Sequence, residues 1–468
     1  MPVPEDASSG ASEFVAETAG EDRRKALLGT YLPTTRWNVR VATFEGDVAE
    51  RAEEWHVFVA NTGEVRSVRH TLPEARPGRT LDETSARGLA QQAVRQRYQL
   101  DAARGDVREV SAKPEKLKAR TDWTFTYVDL TVPRLPQGEP RIEVSIAGDE
   151  IAASGRFVYV PEEWQRRARA AETRNLVLQI VVSLVLGGLL VGAAVSGIIA
   201  WSQHHYTPRV FALAAGVMLL ASILKLANSW PTLLAGVPTA VPIAIAIAGV
   251  LGVGLVGLLL IASLVGLALG AQPRRLTRSP AVDETLALRI GIATGLFGAA
   301  VALIAGSLKQ PDWAHVSDLS ALGAIAPIVQ LALDPITGLL TRTAVVLATL
   351  VSLDRFTAGW TQRRALAIAA IAVIGFVAVG TPMGLGMQGW LLAGAVTAVG
   401  FVVASTTALR FDLTMVPLAL GTMAVVGTLG RAAQRAFPGA LAGSVLGALV
   451  AALIAWWLFR LLRASRGT

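Results

Sequence analysis

The chain has 468 residues, 52% of them hydrophobic and 17% charged, with no cysteine and a formal net charge of +8. The lack of cysteine excludes disulfides, thiolate nucleophiles and cysteine-ligated zinc. Residues 1–175 hold 26 of the 43 basic and 28 of the 35 acidic side chains, so residues 176–468 carry only 17 against 7. So few charges cannot cover a water-facing surface, and this part reads as a membrane domain.

In chain order, residues 1–35 form an N-terminal segment whose first 20 residues lack the basic start and apolar core of an export signal. Residues 36–165 have the pattern of a small α+β domain. Strand-like alternation covers 37–44, 54–60, 64–70, 122–130, 141–147 and 156–160, with turn signals such as Asn61-Thr62-Gly63 and Gly148-Asp149 between. One helix interrupts the strands, capped by Thr80 or Asp82, with Leu81, Ala86, Leu89, Ala90, Ala93 and Val94 as its apolar face. A helix followed by three antiparallel strands predicts a two-layer unit, and the strands before it predict the end of a similar preceding one. Residues 166–175 are a polar helical connector.

From 176 onward, apolar runs of about 20 residues can cross a hydrocarbon layer of about 30 Å. Nine spans are expected, near 176–201, 209–227, 239–270, 287–306, 336–353, 364–381, 388–409, 413–430 and 438–459, with tryptophans at or near their ends. The stretch 321–333 is short, broken by Pro327 and closed by Asp334-Pro335, and is expected to be re-entrant or interfacial. With residues 1–175 outside, eleven basic residues fall on the cytoplasmic side and three on the other, a positive-inside bias that places the C-terminus in the cytoplasm. Since 1–20 lacks an export signal, either the first span alone drives translocation of this domain or a leading helix precedes Met1, and the second is the favoured expectation. The basic clusters lack the aromatic interleaving of a nucleic-acid surface and read as topology signals.

Charged groups at membrane depth are the candidate functional residues. Arg342 lies inside a span, with Asp334, Asp354 and Asp412 as candidate partners, in a salt bridge or at a transport pathway. Lys225 and Arg289 lie near span ends, where their heads can reach the interface. Asp312, His315 and Asp318 have metal-ligand types at helical spacing, and His204-His205 form a second weak candidate; their loops are on opposite sides, so they share no metal. Polar loop residues are the default reading of both, and no cofactor is expected. Small residues four apart, at Gly188/Gly192, Gly266/Gly270, Gly291/Gly295, Gly380/Gly384 and Gly439/Gly443/Gly447, are expected to pack helices within one bundle.

Trp37-Asn-Val-Arg40, Glu54-Trp-His-Val-Phe58, His70-Thr-Leu-Pro-Glu74, Arg120-Thr-Asp-Trp123, Gly148-Asp-Glu150 and Val160-Pro-Glu-Glu-Trp164 resemble the PepSY-like outer domain of bacterial CPBP-type (CAAX-protease-like) multi-pass membrane proteins. The resemblance covers about residues 12–175 and rests on architecture beyond. It implies a PepSY-like α+β domain followed by an all-α bundle in a bacterial inner membrane, and a leading helix before both. It also implies an intramembrane metalloprotease built on a Glu-Glu-x-x-x-Arg helix and later Phe-x-x-x-His and His-x-x-x-Asn/Asp helices. Here Glu162-Glu163…Arg167 matches the first string but precedes the first span. Residues 176–468 contain a single glutamate, Glu284, and no histidine has Phe four positions before or Asn four after. The expected function is therefore a non-catalytic inner-membrane protein that senses or scaffolds through its outer domain. Its expected partners are the lipid bilayer and a protein at that domain, with no nucleic acid. Transport near Arg342 and an active CPBP-type protease are the alternatives.

Overall fold

Alternating side chains build eight strands: β1 (Pro2–Glu5), β2 (Arg36–Ala42), β3 (Glu54–Ala60), β4 (Val65–Thr71), β5 (Val107–Lys116), β6 (Thr121–Asp129), β7 (Glu139–Ala147) and β8 (Glu150–Tyr159). They form one antiparallel sheet in the order β1-β2-β3-β4-β8-β7-β6-β5. The computed structural model describes residues 2–5, 10–276, 282–309, 319, 321–380, 387–435 and 437–464. The chain divides into a sheet unit, Met1–Arg169 with Pro231–Val250, and a helical unit, Ala170–Trp230 with Leu251–Thr468.

The first helices of the sheet unit are α1 (Gly10–Ala19), α2 (Glu21–Leu27), α3 (Val48–Arg51) and α4 (Glu83–Tyr98). Asp82, rather than Thr80, caps α4: its side chain accepts from the Ser85 amide. Ala86, Ala90, Ala93 and Val94 recur at helical spacing, and that face packs on Trp123, Phe125 and Tyr127 of β6 and Ile142, Val144 and Ile146 of β7. This is the expected two-layer arrangement, with four strands after the helix instead of three. The added strand, β5, carries Pro114, Glu115 and Lys116. It pairs only with β6, and at a sheet edge a proline leaves no ladder donor missing while charges deter further pairing. The strands before α4 do not make a separate unit; Arg69 opposite Ala153 joins β4 to β8. Nor is the N-terminal segment an appendage. Phe14 and Val15 of α1 are fully buried, and the Phe14 ring meets Trp164 edge to face.

Residues 166–175 lie inside α5 (Glu162–Ser202), an unbroken helix of 41 residues. It is followed by α6 (Pro208–Asn228), the short α7 (Trp230–Ala235), α8 (Ile243–Gly270), α9 (Gln272–Leu276), α10 (Glu284–Lys309), α11 (Pro327–Phe356), α12 (Arg364–Val377), α13 (Met387–Ala404), α14 (Val416–Ala432) and α15 (Ala440–Ala464). Among the described residues eight helices are long and apolar enough to cross a membrane, one fewer than expected. The exception is α12, whose 14 residues rise only about 21 Å. The stretch 321–333 is not re-entrant: Pro327 occupies the first turn of α11, where a missing amide donor is harmless, and the helix continues through Pro335 into the span.

Small residues set the helix approaches in the helical unit. A Cβ on Gly295 would stand 2.5 Å from the Ala419 carbonyl oxygen, and one on Gly447 2.5 Å from that of Leu331. Gly266, Gly270, Gly291, Gly439 and Gly443 are also crowded, whereas nothing lies within 4 Å of a Cβ on Gly188 or Gly192. Gly384 lies outside the described residues.

Candidate functional site

Antiparallel register places Arg40 of β2 opposite His56 and Ala42 opposite Glu54, so Arg40 and Glu54 are diagonal neighbours on one face. They form a two-pronged ion pair, Nε to Oε2 at 2.8 Å and Nη2 to Oε1 at 2.6 Å. The remaining prong, Nη1, donates to the carbonyls of Ala235 at 3.0 Å and Val237 at 2.6 Å, and Glu54 Oε1 accepts from Thr239 Oγ1 at 2.8 Å. The pair thus holds the segment after α7, which follows two membrane helices in sequence and precedes α8. A guanidinium at the last carbonyls of a short helix satisfies acceptors that have no partner within it. The bond to Arg40 is the main reason the Glu54 carboxyl stays below its ordinary value.

Beside this latch, Glu53 and Glu150 flank His70. Its ring is buried and stacked on Trp55, with centroids 3.5 Å apart; Nε2 is 2.8 Å from Glu53 Oε1 and Nδ1 is 2.6 Å from Glu150 Oε1. Arg76 donates to the same Glu53 oxygen at 2.5 Å. The Glu53 carboxyl is held low, chiefly by its bond to His70. A carboxyl lowered in the folded state contributes stability that is complete above its unfolded value, about 4.3, and is lost as pH falls through the folded value. Acid titration followed by tryptophan fluorescence is therefore expected to show the sheet unit loosening only below about pH 4, and Glu54→Gln to flatten that limb. An identical limb in the variant would refute this assignment.

In the helical unit, the three aspartates expected near Arg342 go elsewhere. Asp334 pairs with Lys225 at 2.7 Å. Gln330, one turn before Asp334, joins it to Asn228, whose side chain bonds the amide and the carbonyl of Ala326. Lys225 is thus paired in place rather than reaching alone for the interface. Asp412 is wholly buried, accepts from the Thr414 amide and hydroxyl, and lies 3.6 Å from Arg463. Asp354 lines a recess with Leu350, Trp360, Ser405, Arg410 and Leu413. Arg342 instead lies within reach of the like charge of Arg431. The Lys225 and Arg463 roles needed helix packing to be seen; for Arg40 the local signal was an opposite charge, Glu54, diagonal to it in the β2–β3 register, and for Thr239 there was none.

Glu162 and Glu163 open α5, where acidic side chains favour the positive helix end. Asp312, His315 and Asp318 lie outside the described residues, and His204 and His205 follow α5 in a turn. Among the described residues no group of three or more metal-ligating side chains could hold an ion. No family model, curated protein or solved structure matches this chain.

Proposed function

We propose that this multi-pass membrane protein is a non-catalytic sensor in which the sheet unit, on the extracytoplasmic side, controls the helices through the segment 231–250. The observation that carries this reading is the latch: Arg40 and Glu54 bind Ala235, Val237 and Thr239, and the same stretch of chain continues directly into α8. A change in the sheet that shifts β2 against β3 would strain or release those bonds, and α8 would feel it through its own backbone. The relation to CPBP-type proteins and the PepSY-like identity of the sheet unit belong to this proposal and rest on the sequence motifs. So do the bacterial inner membrane and the cytoplasmic C-terminus.

Hydrogen exchange of the full-length protein in lipid nanodiscs tests the coupling. Arg40→Ala is expected to speed exchange of amides 235–242 about tenfold or more, matching loss of charge-assisted hydrogen bonds each worth roughly 1.5–3 kcal/mol. It is also expected to change exchange in α8 beyond Val250. A change confined to 235–242 would show the latch to be a local tether. A second reading, anion transport, is favoured by two exposed like charges of the helical unit, Arg342 and Arg431.

A further inference from the structure

Asp334 and Asp354 are twenty residues apart on α11, about 30 Å along the axis, which is the thickness of a hydrocarbon core. Arg342 lies eight residues past Asp334, about 12 Å into that span. It is exposed on the surface of the helical unit, and among the described residues no carboxylate pairs with it. An arginine in this position is expensive to keep charged in hydrocarbon unless an anion accompanies it.

The charge that acts on it is a like one, Arg431, near the end of α14 and also exposed. Helix direction brings the two toward one another. Leu339 of α11 packs with Ala451 and Ala455 of α15 and with Leu420, Ala424 and Val425 of α14. Leu331 lies against Gly443 and Gly447, and Gly421 against Ala455, so α11 runs parallel to α15 and antiparallel to α14. Side chains lean toward the N-terminus of their own helix. Arg342 therefore leans toward the Asp334 end. Arg431 leans the opposite way, and its Nε donates to the Gly427 carbonyl four residues back at 3.2 Å. Two guanidinium groups converge on one depth from antiparallel helices.

The space around them is open. Gly338 lies one turn before Arg342, Gly427 one turn before Arg431, and Gly430 beside it; nothing is within 4 Å of a Cβ on any of the three. Among the described residues, Asp334 is committed to Lys225, Asp412 to Thr414 and Arg463, and Glu284 to Arg460, while Asp354 lies twelve residues beyond Arg342 on α11, about 18 Å along the axis. Guanidinium is the side chain that matches a phosphate with parallel N–H donors, and two of them suit one shared oxyanion.

We propose that Arg342 and Arg431 form a binding site for a phosphate group, carried either by an anionic phospholipid or by a free phosphate solute. The site is independent of the latch, since both arginines belong to the helical unit. Its test uses the full-length protein in phosphatidylcholine nanodiscs, with thermal unfolding followed by tryptophan fluorescence. One arm raises the fraction of phosphatidylglycerol, and the other adds inorganic phosphate. In the wild type, one of the two is expected to raise the midpoint in a saturable way: phosphatidylglycerol alone identifies a lipid headgroup, inorganic phosphate a solute.

Arg431→Gln is expected to weaken that response about tenfold, the factor that corresponds to one charge-assisted hydrogen bond. Its position in the last turn of α14, on an exposed face, leaves the fold intact. Arg342→Lys, which keeps the charge and loses the fork, is expected to weaken it less. Arg460→Gln, at an exposed pair with Glu284, is expected to leave it unchanged. The proposal is overturned if the wild type responds to neither probe, if Arg431→Gln responds like the wild type, or if Arg460→Gln weakens the response equally.

Discussion

Asp412→Ala is expected to destabilise the helical unit by about 3–5 kcal/mol, the range for breaking a buried charge pair from one side. Asp412 is 0% exposed and does two things at once. Its Oδ1 accepts from the Thr414 amide at 3.0 Å and hydroxyl at 2.7 Å, capping the turn that leads into α14. Its Oδ2 faces Arg463 of α15, whose other donor reaches the Val282 carbonyl just ahead of α10. Alanine removes the cap and leaves a guanidinium with 16% exposure facing an apolar gap. Asp412→Asn keeps the acceptor for Thr414 and loses the charge, so it is expected to fall between alanine and the wild type. Reversible unfolding in detergent micelles measures both; an alanine variant within about 1 kcal/mol of the wild type, the size of an ordinary cap loss, would refute the charge argument.

Arg120→Ala is expected to cost the sheet unit about 3 kcal/mol or more, since it leaves several acceptors without donors. The Arg120 side chain is 4% exposed. Its Nε bonds Asp122 at 2.8 Å, and Nη1 bonds the carbonyls of Pro73 at 2.7 Å and Arg76 at 3.0 Å. It therefore ties the loop after β4 to the start of β6. Asp122 in turn accepts from the Gly148 amide in the β7–β8 turn. Gly78 fits closely over the Arg120 stem, so the stem also fills space. Arg120→Met separates the two roles. It restores much of the volume without the donors and is expected to recover less than half the loss in urea unfolding. Full recovery would mean that packing, not hydrogen bonding, holds the loop.

The membrane helices were the most legible part of the chain because hydrocarbon imposes its rule locally: each span must satisfy its own backbone and be apolar for about 20 residues. Where local reading failed, a local rule met a longer-range condition. Pro327 and Pro335 read as breakers, yet one lies in a helix's first turn and the other is carried by helix on both sides. β5 was absent from the strands expected from alternation, and its polar end, Pro114-Glu115-Lys116, suits a sheet edge. The 364–381 span was expected from hydropathy, while its helix ends at Val377.

Side-chain partners were harder still. Asp334, Asp354 and Asp412 were recognisable as acids of the membrane half and Arg342 as its most deeply placed base, but shared membrane depth did not say which acid meets which base. Lys225 and Asp334 are 109 residues apart, yet α6 and α11 bring them to 2.7 Å. Composition, periodicity and hydropathy by themselves determined that this protein joins a strand-rich domain to a multi-pass bundle, because those properties are repeated in every turn of the chain. Only the tertiary structure decided that Arg40 holds the α7–α8 segment, that Asp412 faces Arg463, and that Lys225 pairs with Asp334. Those contacts depend on helix direction, register and the few ångströms granted by glycine at helix crossings, and no local stretch of sequence records them.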